Sequence, residues 1–203
     1  CGMEDLPPDY VTLRMEVAGL RGGHSGIDIH LGRGNAIKLL AEALRDLAAH
    51  TDLRLIALHG GSARNAIPRE AFALCAIPAA AASGISEWEQ HRHQAWQQRF
   101  AQADGKVSFL CKFDEEGEVQ EMKAVHHLER DRLLAFLDTV ANGVSRISDD
   151  FPGVTDTSSN LGVVALAQSA FKATFKVRSL QDARADVLAD KLVSFACSYG
   201  LRA

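Results

Sequence analysis

Val11–Val17 (VTLRMEV) alternates apolar and polar residues with period two, which predicts a half-buried strand. From Asn35 to Ala49 the apolar positions Ile37, Leu40, Ala43, Leu44 and Leu47 recur at helical spacing, so an amphipathic helix is expected there, with Asn35 as its N-cap. Leu53–Leu58 and Ala71–Ile77 read as two strands joined by the polar loop His59–Glu70. A second helix is expected over Ser86–Ala103 and a fourth strand over Lys106–Phe113. The order strand, helix, strand, strand, helix, strand is the βαββαβ pattern of a ferredoxin-like two-layer sandwich.

Beyond the charged loop Asp114–Glu121 the pattern predicts a helix over Leu128–Ala141 and a short strand near Gly143–Ile147. Strands over Leu161–Ala167 and Ala173–Val177 follow, and an amphipathic helix over Asp182–Tyr199 closes the chain. No run of linker composition separates the halves. The expected class is α+β: a ferredoxin-like first half joined to a second, related α/β half in one unit spanning residues 1–203.

Composition narrows the function. With 203 residues, 47% of them hydrophobic, the chain can bury a sizeable core. A net charge of −4 gives no basic field for nucleic acid or an anionic membrane. Apolar stretches such as Ala71–Ser83 are too short to span a bilayer and are broken by Pro78. Four scattered cysteines form no CxxC pair; Cys75, Cys111 and Cys197 lie in apolar runs that read as reduced and buried, which points to the cytoplasm. Cys1–Tyr10 lacks the basic head and apolar run of a signal peptide, and an opening without Met reads as a piece of a longer polypeptide.

Three places carry candidate chemistry. Gly19–Gly26 (GLRGGHSG) lacks the Gly-Lys-Ser/Thr of a phosphate loop, and Gly32–Gly34 lacks the third glycine of a dinucleotide fingerprint. What remains is His24 held out between glycines, a donor suited to a developing oxyanion, or simply a turn that needed glycine. Asn65 sits in the loop GGSARNAIPRE beside Pro68, with an amide that both donates and accepts, though Asn is also a common turn residue. Arg178 closes a strand, where a guanidinium can hold a carboxylate through two parallel hydrogen bonds or make a surface salt bridge.

No metal set emerges. His91 and His93 point to different sides of a helix, His126 and His127 are adjacent in sequence, and HExxH does not occur. Glu115 and Glu116 read as solvated loop residues, and no G-x-S-x-G nucleophile elbow is found.

Taken together, Gly19–Ala36, Gly60–Glu70 and Lys176–Ser179 resemble, in order and spacing, the lid domain of the bacterial aminoacyl-histidine (Xaa-His) dipeptidases, cytosolic di-zinc exopeptidases. The resemblance covers nearly the whole chain. It implies a lid inserted in a larger enzyme whose zinc-bearing catalytic domain, with its His-x-Asp and Glu-Glu ligands, is not matched here. By the resemblance His24 polarises the scissile carbonyl or holds the oxyanion, Asn65 binds substrate backbone, and Arg178 clamps the dipeptide's free carboxylate. The implied partners are a dipeptide substrate, the catalytic domain of the same polypeptide and, as an open alternative, a second copy in a homodimer. Two zinc ions belong to the full enzyme and none to this chain, which by itself is expected to be inactive. Thr157, Ser158 and Asn160 are further candidates for the cleft, or hydroxyl turn residues before a strand. The competing reading is a free-standing ferredoxin-like ligand-binding or interaction module, since that architecture serves many functions.

Overall fold

The computed structural model describes residues 1–113, 122–167 and 169–202, and the expected charged loop 114–121, with Glu115 and Glu116, lies outside them. In chain order the elements are β1 (Met3–Asp5), β2 (Tyr10–Ala18), β3 (Gly23–His24), α1 (Ala36–His50), β4 (Arg54–Gly60), β5 (Ala66–Ile67), β6 (Ala71–Pro78) and α2 (Ile85–Arg99). They continue with β7 (Ser108–Phe113), β8 (Lys123–Val125), α3 (His127–Thr139), β9 (Gly143–Ile147), β10 (Thr155–Ala167), β11 (Ala170–Ser179) and α4 (Asp182–Ser198).

The first half forms the expected unit: β7, β2, β6 and β4 lie side by side, every pair antiparallel, which is the ferredoxin-like order. Alternation along β2 sends Leu13, Met15 and Val17 into the core opposite Cys75, Ala73 and Ala71 of β6. Helix α1 starts where its cap predicts. Asn35 is extended and its side chain accepts from the Ile37 and Lys38 N–H groups at 3.0 and 3.4 Å, filling two of the orphan donors of the first turn. Ile37, Leu40, Ala43, Leu44 and Leu47 are all buried. Leu39 and Ala41 are buried too, because α3 covers a second side of the helix. On α2, Trp88 and Trp96 meet Phe109 of β7 edge-on, with ring centroids 5.4 and 5.0 Å apart.

The α+β sandwich is completed by the second half, whose strands continue the first sheet: β10 pairs with the free edge of β4, β11 with β10, and β9 with the far end of β10. Leu161, Val164 and Leu166 of β10 face the same core as the helices, with Phe171, Phe175 and Val177 of β11 packed against it. Phe136 of α3 is ringed by Phe171, Phe175, Phe195 and Tyr199, which ties α3, β11 and α4 together.

The spacing of the buried β10 positions, 161 then 164 then 166, departs from period two because the ladder to β11 slips between Leu161 and Val163. Gly162 occupies the slip. A Cβ there would lie 2.6 Å from the Arg64 Cα, so a glycine is what lets the 61–65 loop cross the strand.

Two expectations are corrected. Strand β10 begins at Thr155, six residues before the apolar run, and Thr157, Ser158 and Asn160 lie buried inside it rather than in a turn. Cys197 is exposed on α4, whereas Cys75 is buried and its thiol is pushed up to about 12 by loss of solvation.

Candidate functional site

The glycine-rich loop is built around His24. Its backbone pairs with the second candidate loop through a two-strand ladder, Gly23 opposite Ile67 and His24 opposite Ala66, and the Ser25 N–H donates to the Asn65 carbonyl at 2.9 Å. Asp28 accepts from the His24 N–H at 2.8 Å, and Arg33 donates to the Gly22 carbonyl at 2.5 Å while pairing with Asp28 at 3.4 Å. Gly23 has φ +143°, and a Cβ on it would sit 2.3 Å from Arg33 Nη1 and 2.5 Å from Asp28 Oδ2, so the ion pair has room only against glycine. Fully buried Asp104 fixes both ends of the loop, accepting from the Arg21 and Gly34 N–H groups at 2.6 Å each. Asp104 gave no sequence signal: a single Asp past the end of a helix has no periodic or motif context.

The structure brings the three expected residues together. Arg178 lies on the face of β11 opposite the core residue Val177, in register with Ser158. Its Nη2 is 3.3 Å from His24 Nε2 and its Nε is 3.4 Å from the Ser25 hydroxyl. The other ring nitrogen of His24 faces the Gly26 N–H at 3.3 Å. A neutral imidazole has one lone pair, so Gly26 and Arg178 cannot both donate to it, and one N–H of the cluster is left over. Among the described residues no carboxylate pairs with Arg178. The surplus of donors and of positive charge suits an anionic oxygen brought from outside. The exposed Asn65 side chain forms no hydrogen bond among the described residues and stands beside His24 through the ladder.

The polar residues of β10 brace this site. Asn160, 1% exposed, donates through Nδ2 to the carbonyls of Arg64 and Ala66 at 3.1 and 2.8 Å, holding Asn65 between two fixed points, and its Oδ1 has no partner. The Thr157 hydroxyl donates to Asp156 and meets Ser179 next to Arg178. Those two hydroxyls and the Arg184 guanidinium hold the Asp156 carboxyl below the usual carboxylate range. Two cavities, of about 620 Å3 between α3, β11 and α4 and about 590 Å3 beside the 59–70 loop, are not lined by His24, Asn65 or Arg178. His24 and Arg178 thus meet side chain to side chain, with the Asn65 backbone bonded to Ser25 beside them. A metal does not fit between them, because Arg178 brings a fixed positive charge to the only imidazole present. Elsewhere the pairing of β1 with β8 places Glu4 beside His126 and His127, a convergence that sequence spacing does not reveal.

A protein-family model described as Peptidase dimerisation domain matches residues 15–103, from β2 to just beyond α2. The cytosol non-specific dipeptidase of Escherichia coli (strain K12) is 35% identical over 191 residues, 94% of this chain and 39% of that protein. The crystal structure of aminoacylhistidine dipeptidase from Vibrio alginolyticus superposes with a TM-score of 0.92 at 33% identity, covering 98% of this chain and 40% of that one. The chain thus spans about two fifths of the length of both relatives. Among the described residues no helix is long and apolar enough to cross a membrane.

Proposed function

We propose that this chain, a peptidase dimerisation domain across residues 15–103 carried on into a second α/β half, is the substrate-gripping lid of a larger cytoplasmic metallodipeptidase acting on Xaa-His dipeptides. The observation that carries the reading is the pair His24 and Arg178, side by side at 3.3 Å with more donors than acceptors and an unengaged Asn65 next to them. An open wall of that kind acts when a second wall closes on it, and the catalytic domain of the same polypeptide would supply that wall.

In this reading the zinc ions, two by family resemblance, sit in the catalytic domain and supply an activated water. The residues of this chain fix the substrate. Arg178 holds the free carboxylate of the dipeptide by a fork of two N–H groups, which sets its register. His24 donates to the scissile carbonyl oxygen, a bond that strengthens as charge gathers there. Asn65 pairs with substrate backbone. Closure over the dipeptide excludes water, so each contact counts for more. The family match also supports a homodimer, to be measured by sedimentation of the full-length protein.

The test is kinetic, in the full-length enzyme. Arg178→Ala should raise KM for Xaa-His dipeptides with a loss of about 1.5–3 kcal/mol, as for a hydrogen bond to a charged partner. Dipeptide amides, which lack the carboxylate, should be indifferent to it. His24→Ala should instead lower kcat by about 10²–10³ with KM little changed and metal content intact. Equal losses on free and amidated dipeptides would overturn the carboxylate assignment, and an unchanged kcat in His24→Ala would return that loop to a simple glycine turn.

A further inference from the structure

We infer that Glu4, His126 and His127 form a binding site for a divalent metal ion of the zinc class, apart from the substrate wall and independent of the lid reading. The site arises where β1 meets β8. Their antiparallel ladder sets Met3 opposite Val125 and Glu4 opposite Ala124, and the His126 N–H donates to the Gly2 carbonyl at 3.0 Å, extending the pairing by one bond. The Glu4 side chain is thereby carried to the start of α3. One ligand atom from each of the three residues lies within 4.8 Å of the other two, with Glu4 Oε2 and His126 Nε2 at 4.0 Å.

Adjacent residues of a helix diverge in direction, which is why neighbouring histidines make a poor chelate on paper. Here His126 is the extended cap residue, φ −51° and ψ 134°, and only His127 is helical. That change of conformation between them turns both rings to one side, centroids 4.3 Å apart and tilted by 33°. Two imidazoles and a carboxylate are borderline donors suited to zinc or its neighbours and a poor match for magnesium or calcium. Tetrahedral bonds of about 2.0–2.1 Å place ligand atoms about 3.3 Å apart, so the cluster must close by about an ångström, a side-chain adjustment at a half-exposed site.

The carboxylate is already oriented. Arg54 holds Glu4 through Oε1, leaving Oε2 toward the histidines, the arrangement in which an outer partner fixes a ligating group. The positive charge of Arg54 and the N-terminal end of the α3 dipole oppose a cation. Glu129, bonded to the Gly2 N–H in the first turn of α3, offsets part of that. The balance favours a modest affinity.

The experiment is titration of zinc chloride into this chain, followed by calorimetry and by the absorption of a cobalt(II) form, with circular dichroism confirming the fold of each variant. One ion per chain is expected, with binding weakened at least tenfold by His127→Ala, an exposed residue whose loss spares the fold, and by Glu4→Gln. Magnesium should produce no heat of binding, and Cys1→Ser should bind zinc like the parent. A cobalt spectrum lacking thiolate charge transfer would agree. Zinc binding that survives His127→Ala, that disappears with Cys1→Ser, or that is absent from the parent chain would overturn the site.

Discussion

Replacing Asp104 tests whether the loop that carries His24 is fixed from outside. The carboxylate is fully buried and accepts two backbone N–H groups, from Arg21 and Gly34, at 2.6 Å each. In Asp104→Ala the Gly34 N–H, inside a buried segment, loses a charge-assisted partner, worth about 2–3 kcal/mol. Arg21 is exposed and its N–H can turn to water, so its bond adds only about 0.5–1 kcal/mol. The expected loss is therefore about 2.5–4 kcal/mol, read as a shift of the urea midpoint at pH 7 with the slope unchanged. Asp104→Asn keeps one acceptor oxygen but turns an NH2 toward the other donor, so it should cost less, about 1–2 kcal/mol. Hydrogen exchange at Arg21, Ser25 and Gly34 should quicken in both variants, because the loop opens more readily. A loss below about 1 kcal/mol in the Ala variant with unchanged exchange at those amides, or equal losses in Ala and Asn, would refute the assignment of the loop's anchorage to this carboxylate.

Asn35→Ala removes the α1 cap and the 2.9 Å bond from Nδ2 to the Leu161 carbonyl, so urea unfolding should show a loss of about 2 kcal/mol. Gly23→Val forces a branched residue onto φ +143° against the Arg33–Asp28 pair and should cost about 1–3 kcal/mol in a thermal melt, whereas His24→Ala should leave Tm nearly unchanged. Lys38, whose amine is drawn under α3 to the carbonyls of Asp138 and Val140, has its pKa lowered by burial to about 8 from the ordinary 10.5. Between those two pH values the unfolded chain holds a proton that the native amine has shed, so this residue's contribution to stability rises with pH. Against Lys38→Met, which also cancels the opposing titration of the buried thiols, the parent should gain about 1–2 kcal/mol from pH 7.5 to 10, after allowance for solvent screening of a half-buried amine. A flat difference would show that the amine titrates normally.

The ferredoxin-like half was legible because its signals are local: period two along β2, helical spacing along α1, and an Asn where a cap was needed. The second half was read less fully, and β10 shows why. Asp156–Asn160 are buried without an apolar residue among them, since their burial is met by hydrogen bonds to Ser179, Ala141 and the 64–66 backbone, partners distant in sequence. Periodicity reports only burial achieved by apolar side chains. Three-residue strands such as β1 and β8 are too short to show any period, so the meeting of Glu4 with the two histidines was hidden with them. His24, Asn65 and Arg178 were legible as candidates, but nothing in their spacing showed that a two-residue ladder and one edge of β11 would set them together.

Strand β10 also bears on how this fold tolerates length changes. A polypeptide in a strand can count faces only by residue number, and Gly162 is the residue at which the count is reset. Upstream of it Leu161 faces the core while Asn160 turns the other way and holds the 64–66 backbone; downstream Val164 and Leu166 face the core. Deleting Gly162 would bring Leu161, Val164 and Leu166 to even spacing, so both stretches would keep their faces and the ladder to β11 would run without its slip. What would be lost is the gap through which the 61–65 loop passes, because the residue then facing Arg64 would carry a side chain. The extra residue thus serves the crossing of the loop, and the faces of the strand do not depend on keeping it.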